Sequence, residues 1–270
     1  MRGINRRRLL ASLGVLGGTA ALGGYRRSAI GQPDAPVAHA TGDHELSAST
    51  GAVWQCVELD PEGVARRAYR IYPAGGCMYA VVGSVLGALA DRAGEPFRSF
   101  PIEMMRFGDG GVGGWGSVCG VVNGGSALIG LFHNEEAKQK REELIAEFCT
   151  WYETTNLPTF EPANPQWADE AEPSVADSVL CHISTTRWCQ ASGHEAFSMA
   201  KKERCRRLAA DGAMRIVEVL NRQLDADASV PVGRARDAQS CIDCHGADDM
   251  ADTMGKMSCR SCHDVDADHP

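Results

Sequence analysis

Two copies of one five-residue pattern near the carboxyl end constrain this chain more than any other feature. The pattern Cys-x-x-Cys-His occupies 241–245 and recurs at 259–263. Two thiols at this spacing can form thioethers with one haem, while the adjacent histidine presents its imidazole to the iron. Positions 246–258 are too few to hold a folded domain between the copies. The sequence therefore predicts two neighbouring covalently bound haem c groups, attached through Cys241, Cys244, His245, Cys259, Cys262 and His263.

A zinc site is the competing interpretation of the same four cysteines. Cys244 and Cys259 enclose fourteen residues, and C-x2-C-x14-C-x2-C is close to the spacing of four-thiolate zinc sites. Such a site has no use for a histidine after each cysteine pair, yet both pairs have one. An export signal also favours haem c, because thioether attachment takes place outside the cytoplasm.

That signal lies in the first 40 residues. Three arginines at 6–8 precede a weakly apolar run, 11–24, that is too short to span a bilayer comfortably. The paired arginines suggest twin-arginine export, and a general secretory signal is the alternative. We therefore expect a periplasmic protein with no stable membrane insertion, unless the signal remains uncleaved.

Charge excludes one class of partner. The net charge is −8, but the first 27 residues contain six arginines and no acid. Without them, 21 basic residues stand against 35 acidic ones, a balance of −14. Such a surface repels nucleic acid and favours a basic protein partner or none.

The fold class predicted from the hydrophobic pattern is mainly α. A helical, Cys-rich redox domain at 41–228 follows the export signal and linker at 1–40, and a short, largely irregular di-haem segment occupies 229–270. A nearly all-apolar run, 76–90, predicts a buried helix. Ser174, with Asp177 three positions later, predicts the start of another helix.

A glycine-rich segment, 108–120, separates two of the predicted helices. It contains a G-x-G-x-x-G pattern, but no strand precedes it, so a dinucleotide site is improbable. We predict instead that this loop delivers Cys119 to a helix N-terminus. The helix dipole there lowers the pKa of a thiol and favours the thiolate that metals bind.

Several cysteine-containing stretches resemble a known family. These are Gly76-Cys77-Met78-Tyr79-Ala80, the run 113–120, Trp188-Cys189, and Glu203-Arg204-Cys205. They resemble the redox-active family named for its spaced C, G-C-A-x-x-G, C and C motifs. With the two pentads added, residues 50–270 resemble the split-Soret cytochromes c of anaerobic sulfate- and metal-reducing bacteria.

The resemblance implies a mostly helical homodimer whose four haems cluster at one end. It also implies bis-histidine iron, with ligands exchanged between monomers, and an iron–sulfur site in the body. Each pentad supplies one imidazole, so each iron needs a second ligand. The candidates for that ligand are His182, His194 and His269.

Seven cysteines lie outside the pentads, an odd number that cannot all pair as disulfides. The best four-thiolate set is Cys77, Cys119, Cys189 and Cys205, with Cys181 as the substitute for Cys189. Buried free thiols together with a disulfide are the alternative.

The leading functional hypothesis is a di-haem protein that carries electrons between a donor and an acceptor protein in anaerobic respiration. A small oxidoreductase, with an open haem iron or a catalytic Cys-rich site, is the alternative. A third class is a zinc-containing interaction module.

Overall fold

The longest helix of the body is polar in composition, yet most of its residues are buried. Ser198 caps this helix, and its hydroxyl accepts a hydrogen bond from the Lys201 N–H at 3.1 Å. Leu208, Ile216 and Val219 are fully or almost fully buried along it. Because other helices contact it on several sides, it forms the centre of the core.

The computed structural model describes residues 54–167, 171–225, 229, 238–246 and 255–263. Its helices are α1 (Pro61–Ile71), α2 (Gly76–Ala93), α3 (Gly120–Phe132), α4 (Lys138–Thr154), α5 (Cys181–Ser192), α6 (Met199–Arg222, the central helix) and α7 (Ala238–His245). Short 3-10 helices occupy Tyr72–Ala74, Phe97–Ser99, Ile102–Gly108 and Glu135–Ala137. The prediction of a mainly helical fold is confirmed. Within these ranges no helix is both long enough and apolar enough to cross a membrane.

The predicted buried helix over 76–90 is present as α2, which packs against α1, α3 and α6. Two glycines permit this close packing. A Cβ at Gly120 would lie 2.1 Å from the carbonyl oxygen of Gly108, and one at Gly212 would lie 2.2 Å from Val121 Cγ1. Neither position has room for a side chain, so the start of α3 can lie close to the start of α2, and α6 can lie close to α3.

The prediction of a helix beginning at Ser174 is wrong. Ser174–Val175 is a short strand, β2, and pairs antiparallel with β1 (Asn156–Leu157), placing Leu157 opposite Ser174. Asp177 then adopts a left-handed backbone conformation with φ of 55°. Helix α5 starts only at Cys181. The capping pattern is present in the sequence, but the segment is extended and pairs with β1 instead of starting a helix.

A buried carboxylate holds the connection that follows α4. Asp211, on α6, accepts hydrogen bonds from the Thr159 N–H at 2.9 Å and from the Thr159 hydroxyl at 2.8 Å. Burial raises the pKa of Asp211 to about 6, although the hydrogen bonds from Thr159 oppose that shift. The folded state therefore binds a proton at Asp211 more tightly than the unfolded chain does.

Asp211 should make stability depend on pH. Its pKa is higher in the folded state, so the stability that this group contributes is present at pH 4 and is lost as the pH rises through 6. Asp211→Asn keeps an acceptor for Thr159 but does not titrate. The difference in unfolding free energy between wild type and Asp211→Asn should fall by about 2–3 kcal/mol from pH 4 to pH 7. Urea titrations at both pH values measure it, and an unchanged difference would contradict the assignment.

Candidate functional site

Four buried cysteines from four different helices meet inside the body. Cys77 is the second residue of α2, Cys119 immediately precedes α3, Cys181 is the first residue of α5, and Cys205 lies on α6. Three of the four are therefore at helix N-termini, where the helix dipole stabilises a thiolate. The predicted placement of Cys119 at a helix N-terminus is confirmed.

The thiols lie within hydrogen-bonding reach of one another in the order Cys181, Cys119, Cys77, Cys205. Hydrogen bonds from Cys181 and then Cys77 hold the pKa of Cys119 well below its usual range. The pKa of Cys77 is raised, chiefly because it lies within hydrogen-bonding reach of Cys119 and Cys205. The pKa of Cys181 is raised by its hydrogen bond with Cys119. Lowered pKa values at Cys119 and Cys205 thus alternate with raised values at Cys181 and Cys77 along this cysteine series.

Positive charge lies beside one end of the cysteine series. The hydrogen bond with Cys77 lowers the pKa of Cys205, and the charges of Lys201 and Arg204 lower it further, against the effect of burial. In return, the Cys205 charge raises the pKa of Lys201. Arg204 is buried and donates a hydrogen bond to Ser184 Oγ at 2.8 Å. This part of the core is therefore built to hold negative sulfur.

Two buried tyrosines complete the surroundings of the cysteine series. The Cys77 sulfur lies 3.9 Å from the Tyr72 hydroxyl oxygen, and the Tyr152 hydroxyl lies 3.0 Å from Ser184 Oγ and within hydrogen-bonding reach of Cys119. Burial is the main cause that raises the pKa of both tyrosines, which therefore stay neutral. Sequence reasoning missed both tyrosines, because no spacing links them to the cysteines. Lys201 and Arg204 could have been found from their positions four and one residues before Cys205.

Cys189 lies apart from the cysteine series. It is half-buried and follows Cys181 by eight residues along α5, a separation of about 12 Å along the helix axis. The structure thus brings Cys181, and not Cys189, together with Cys77, Cys119 and Cys205. Among the residues that the structure describes, no three His, Cys, Asp or Glu side chains are arranged around a single ion position.

The two pentads differ in local structure. The first is helical, on α7, so Cys241 and Cys244 lie about one turn apart. In the second, the N–H groups of Cys262 and His263 both donate to the carbonyl of Cys259, at 3.1 and 3.0 Å. The second cysteine of each pentad is exposed. Both pairs therefore present a thiol to which a large group can be attached.

The candidate second ligands have separate positions. His182 is exposed at the second position of α5, and the Cβ of its side chain contacts the turn at Gly116. His194 is also exposed, and its ring stacks on Trp188 with the centroids 5.9 Å apart. His269 lies outside the described residues. Since His182 and His194 reach the surface, both are accessible to a haem.

Comparison with known proteins connects the body and the pentads to one family. A family model described as "Putative redox-active protein (C_GCAxxG_C_C)" matches residues 79–219. The split-Soret cytochrome c of Desulfovibrio desulfuricans (strain ATCC 27774 / DSM 6949 / MB) is 33% identical over 271 residues, covering 96% of this chain and 94% of that protein.

A solved structure extends the similarity to three dimensions. It is described as "A novel iron centre in the split-Soret cytochrome c from Desulfovibrio desulfuricans ATCC 27774". It aligns with a TM-score of 0.74 and 32% identity, covering 80% of this chain and 92% of that chain. This chain therefore belongs to the split-Soret cytochrome c family and is a cytochrome-type redox protein.

Proposed function

We propose that the protein is a periplasmic electron carrier with two covalently bound haem c groups. The observation that carries this proposal is the repeated pentad, in which an exposed cysteine directly precedes a histidine in both copies. When bound, each haem would supply one-electron chemistry, with its iron held by the histidine of its own pentad, His245 or His263. His182, His194 and His269 are the candidates for the second ligand, and a second histidine on each iron would leave no position open to substrate.

We further propose that Cys77, Cys119, Cys181 and Cys205 hold an iron–sulfur cluster. Four thiolates are the usual donor set of such clusters. The four sulfurs lie within hydrogen-bonding reach of one another in series, which places four iron-binding thiols in one buried region. Lys201 and Arg204 offset the thiolate charge, and the surrounding apolar core excludes water.

The proposed partners are a donor and an acceptor protein, together with a second copy of this chain. Exposed aromatic side chains support docking of another protein chain, since Trp115 is 88% and Phe197 98% exposed. The strongly acidic balance of the exported chain favours a donor or acceptor with a basic surface. Analytical ultracentrifugation of the haem-containing protein tests the homodimer, and a monomer at micromolar concentration would reject it.

Carbon monoxide distinguishes a carrier from an enzyme. Iron with two protein ligands has no open position, so the dithionite-reduced protein should bind carbon monoxide slowly and below one equivalent per haem. The absorbance of the ferrous haem reports the binding. Rapid stoichiometric binding would reject the carrier and favour a small oxidoreductase with an open haem iron.

A further inference from the structure

The second pentad is attached to the body by a specific contact. The Ser261 hydroxyl, between the two cysteines of this pentad, donates to the carbonyl oxygen of Asp177 at 2.6 Å. Just before the pentad, Met257 packs against the hydrophobic core. Lys256 and Met257 also line a cavity of about 210 Å³, whose opposite wall includes Cys149 of α4. The segment 255–263 therefore lies on the body beside α4.

Asp177, whose carbonyl accepts this contact, has an unusual backbone conformation. It is the one described residue other than glycine with positive φ, at 55°. An aspartate tolerates this region better than most residues, but it still needs support from its surroundings. Its N–H donates to the carbonyl of Glu153 at 3.0 Å, and its carboxylate pairs with Arg187 at 3.4 Å. These contacts fix the direction of the carbonyl that receives Ser261.

The same backbone segment continues into the cysteine series. Two residues after Asp177, the carbonyl of Val179 accepts a hydrogen bond from the N–H of Cys119 at 2.8 Å. The N–H of Cys181 is fixed in the same region, by a 2.8 Å bond to the carbonyl of Ser117. Ser261 is thus connected to Cys119 by two hydrogen bonds and the covalent backbone of 177–179.

The first pentad has no equivalent donor in its corresponding position. Asp243 stands there in place of Ser261. An ionised carboxylate only accepts hydrogen bonds, whereas a serine hydroxyl can donate one to a carbonyl. The two pentads are therefore chemically different at the residue that makes the contact.

We propose that the haem of the second pentad, docked through Ser261 and Asp177, exchanges electrons directly with the iron held by the cysteine series. This inference rests on the proposed function, because it requires both the haem and the cluster. In the step, one electron leaves a ferrous haem, which becomes ferric, and reduces one ferric iron of the cluster to ferrous. No proton moves, and no covalent bond forms or breaks. Ser261 is a positioning residue in this step.

Ser261→Ala tests the proposal in the full haem- and iron-loaded protein. Loss of the hydroxyl removes one hydrogen bond, which should lower the equilibrium constant for docking about fivefold. Amide hydrogen exchange over 255–263 should accelerate by that factor. Electron equilibration between haem and cluster, followed optically after rapid photochemical reduction, should slow by up to the same factor. Ser261→Thr keeps the hydroxyl and should restore both values, and Asp243→Ala is the matched control in the first pentad.

Each outcome decides the matter. Faster exchange together with slower equilibration in Ser261→Ala alone supports the proposal. Unchanged amide hydrogen exchange in Ser261→Ala would show that Ser261 does not dock the second pentad. Faster hydrogen exchange with an unchanged rate of electron equilibration would overturn the proposed electron route. An equal effect of Asp243→Ala would also overturn it. Haem and non-haem iron are measured first in the wild type and in every variant. Absence of either from the wild type refutes the proposed function, and this result is distinct from a failure of docking.

Discussion

Replacing Cys119 with serine should remove the non-haem iron and leave both haems attached. Cys119 interacts with Cys77 and Cys181, and these hydrogen bonds lower the pKa of Cys119, which favours its thiolate form. A serine hydroxyl is nearly isosteric but remains protonated, so it cannot replace a thiolate ligand to iron. We expect non-haem iron and acid-labile sulfide to fall to background. The measurements are iron and sulfide assays on anaerobically purified protein, with circular dichroism to confirm the helical fold.

Cys189→Ser is the matched control for that variant. It changes the same residue type on α5, but at a half-buried position about 12 Å along the axis from Cys181. Non-haem iron should stay at the wild-type level. Loss of iron in Cys189→Ser, with full retention in Cys181→Ser, would show that Cys189 is the fourth ligand. Cys181 would then be a buried free thiol.

The second large effect is on haem content. In the double variant Cys259→Ala, Cys262→Ala, covalent haem should fall from about two per chain to about one, since we propose that each pentad attaches one haem through its own pair of thioethers. The pyridine-haemochrome spectrum of acid-denatured protein measures this, since haem held only by His263 is released. The Soret band of the native variant should also change, because two haems attached at 241–245 and 259–263 are close neighbours.

Cys241→Ala, Cys244→Ala provides the counterpart. It should also leave about one covalent haem, but on the second pentad. Retention of two haems in either double variant would contradict attachment through these thiols. Loss of bound zinc, with no haem in the wild type, would instead favour the four-thiolate zinc site.

Sequence patterns predict a helix of the body well where the whole pattern lies within that one helix. The apolar run at 76–90, which predicts a buried helix, is α2. The failure at Ser174 has a specific cause. Its capping pattern is local, but β2 pairs with β1 nearly twenty residues earlier, and Asp177 turns the chain in a left-handed conformation before α5 begins. A local signal cannot show that a distant partner is available.

The candidate cluster site illustrates the same limit. Cys77, Cys119 and Cys205 stand out as members of spaced motifs, whereas the choice between Cys181 and Cys189 depends on where α5 starts. The bridge between Val118 and Leu180 brings the first turn of α5 beside Cys119. Tyr152 and Arg204 both donate hydrogen bonds to the hydroxyl of Ser184, a residue outside the spaced cysteine motifs. These contacts join parts of the chain that no sequence spacing relates.

The most direct test of the account is a combined metal and haem analysis of protein purified anaerobically from a host that attaches haem c. We predict two covalent haems per chain, with additional iron and acid-labile sulfide. Two haems with no additional iron would remove the proposed cluster and leave a di-haem carrier. Zinc in place of haem would contradict the central claim, that the paired pentads make this protein a haem-based electron carrier.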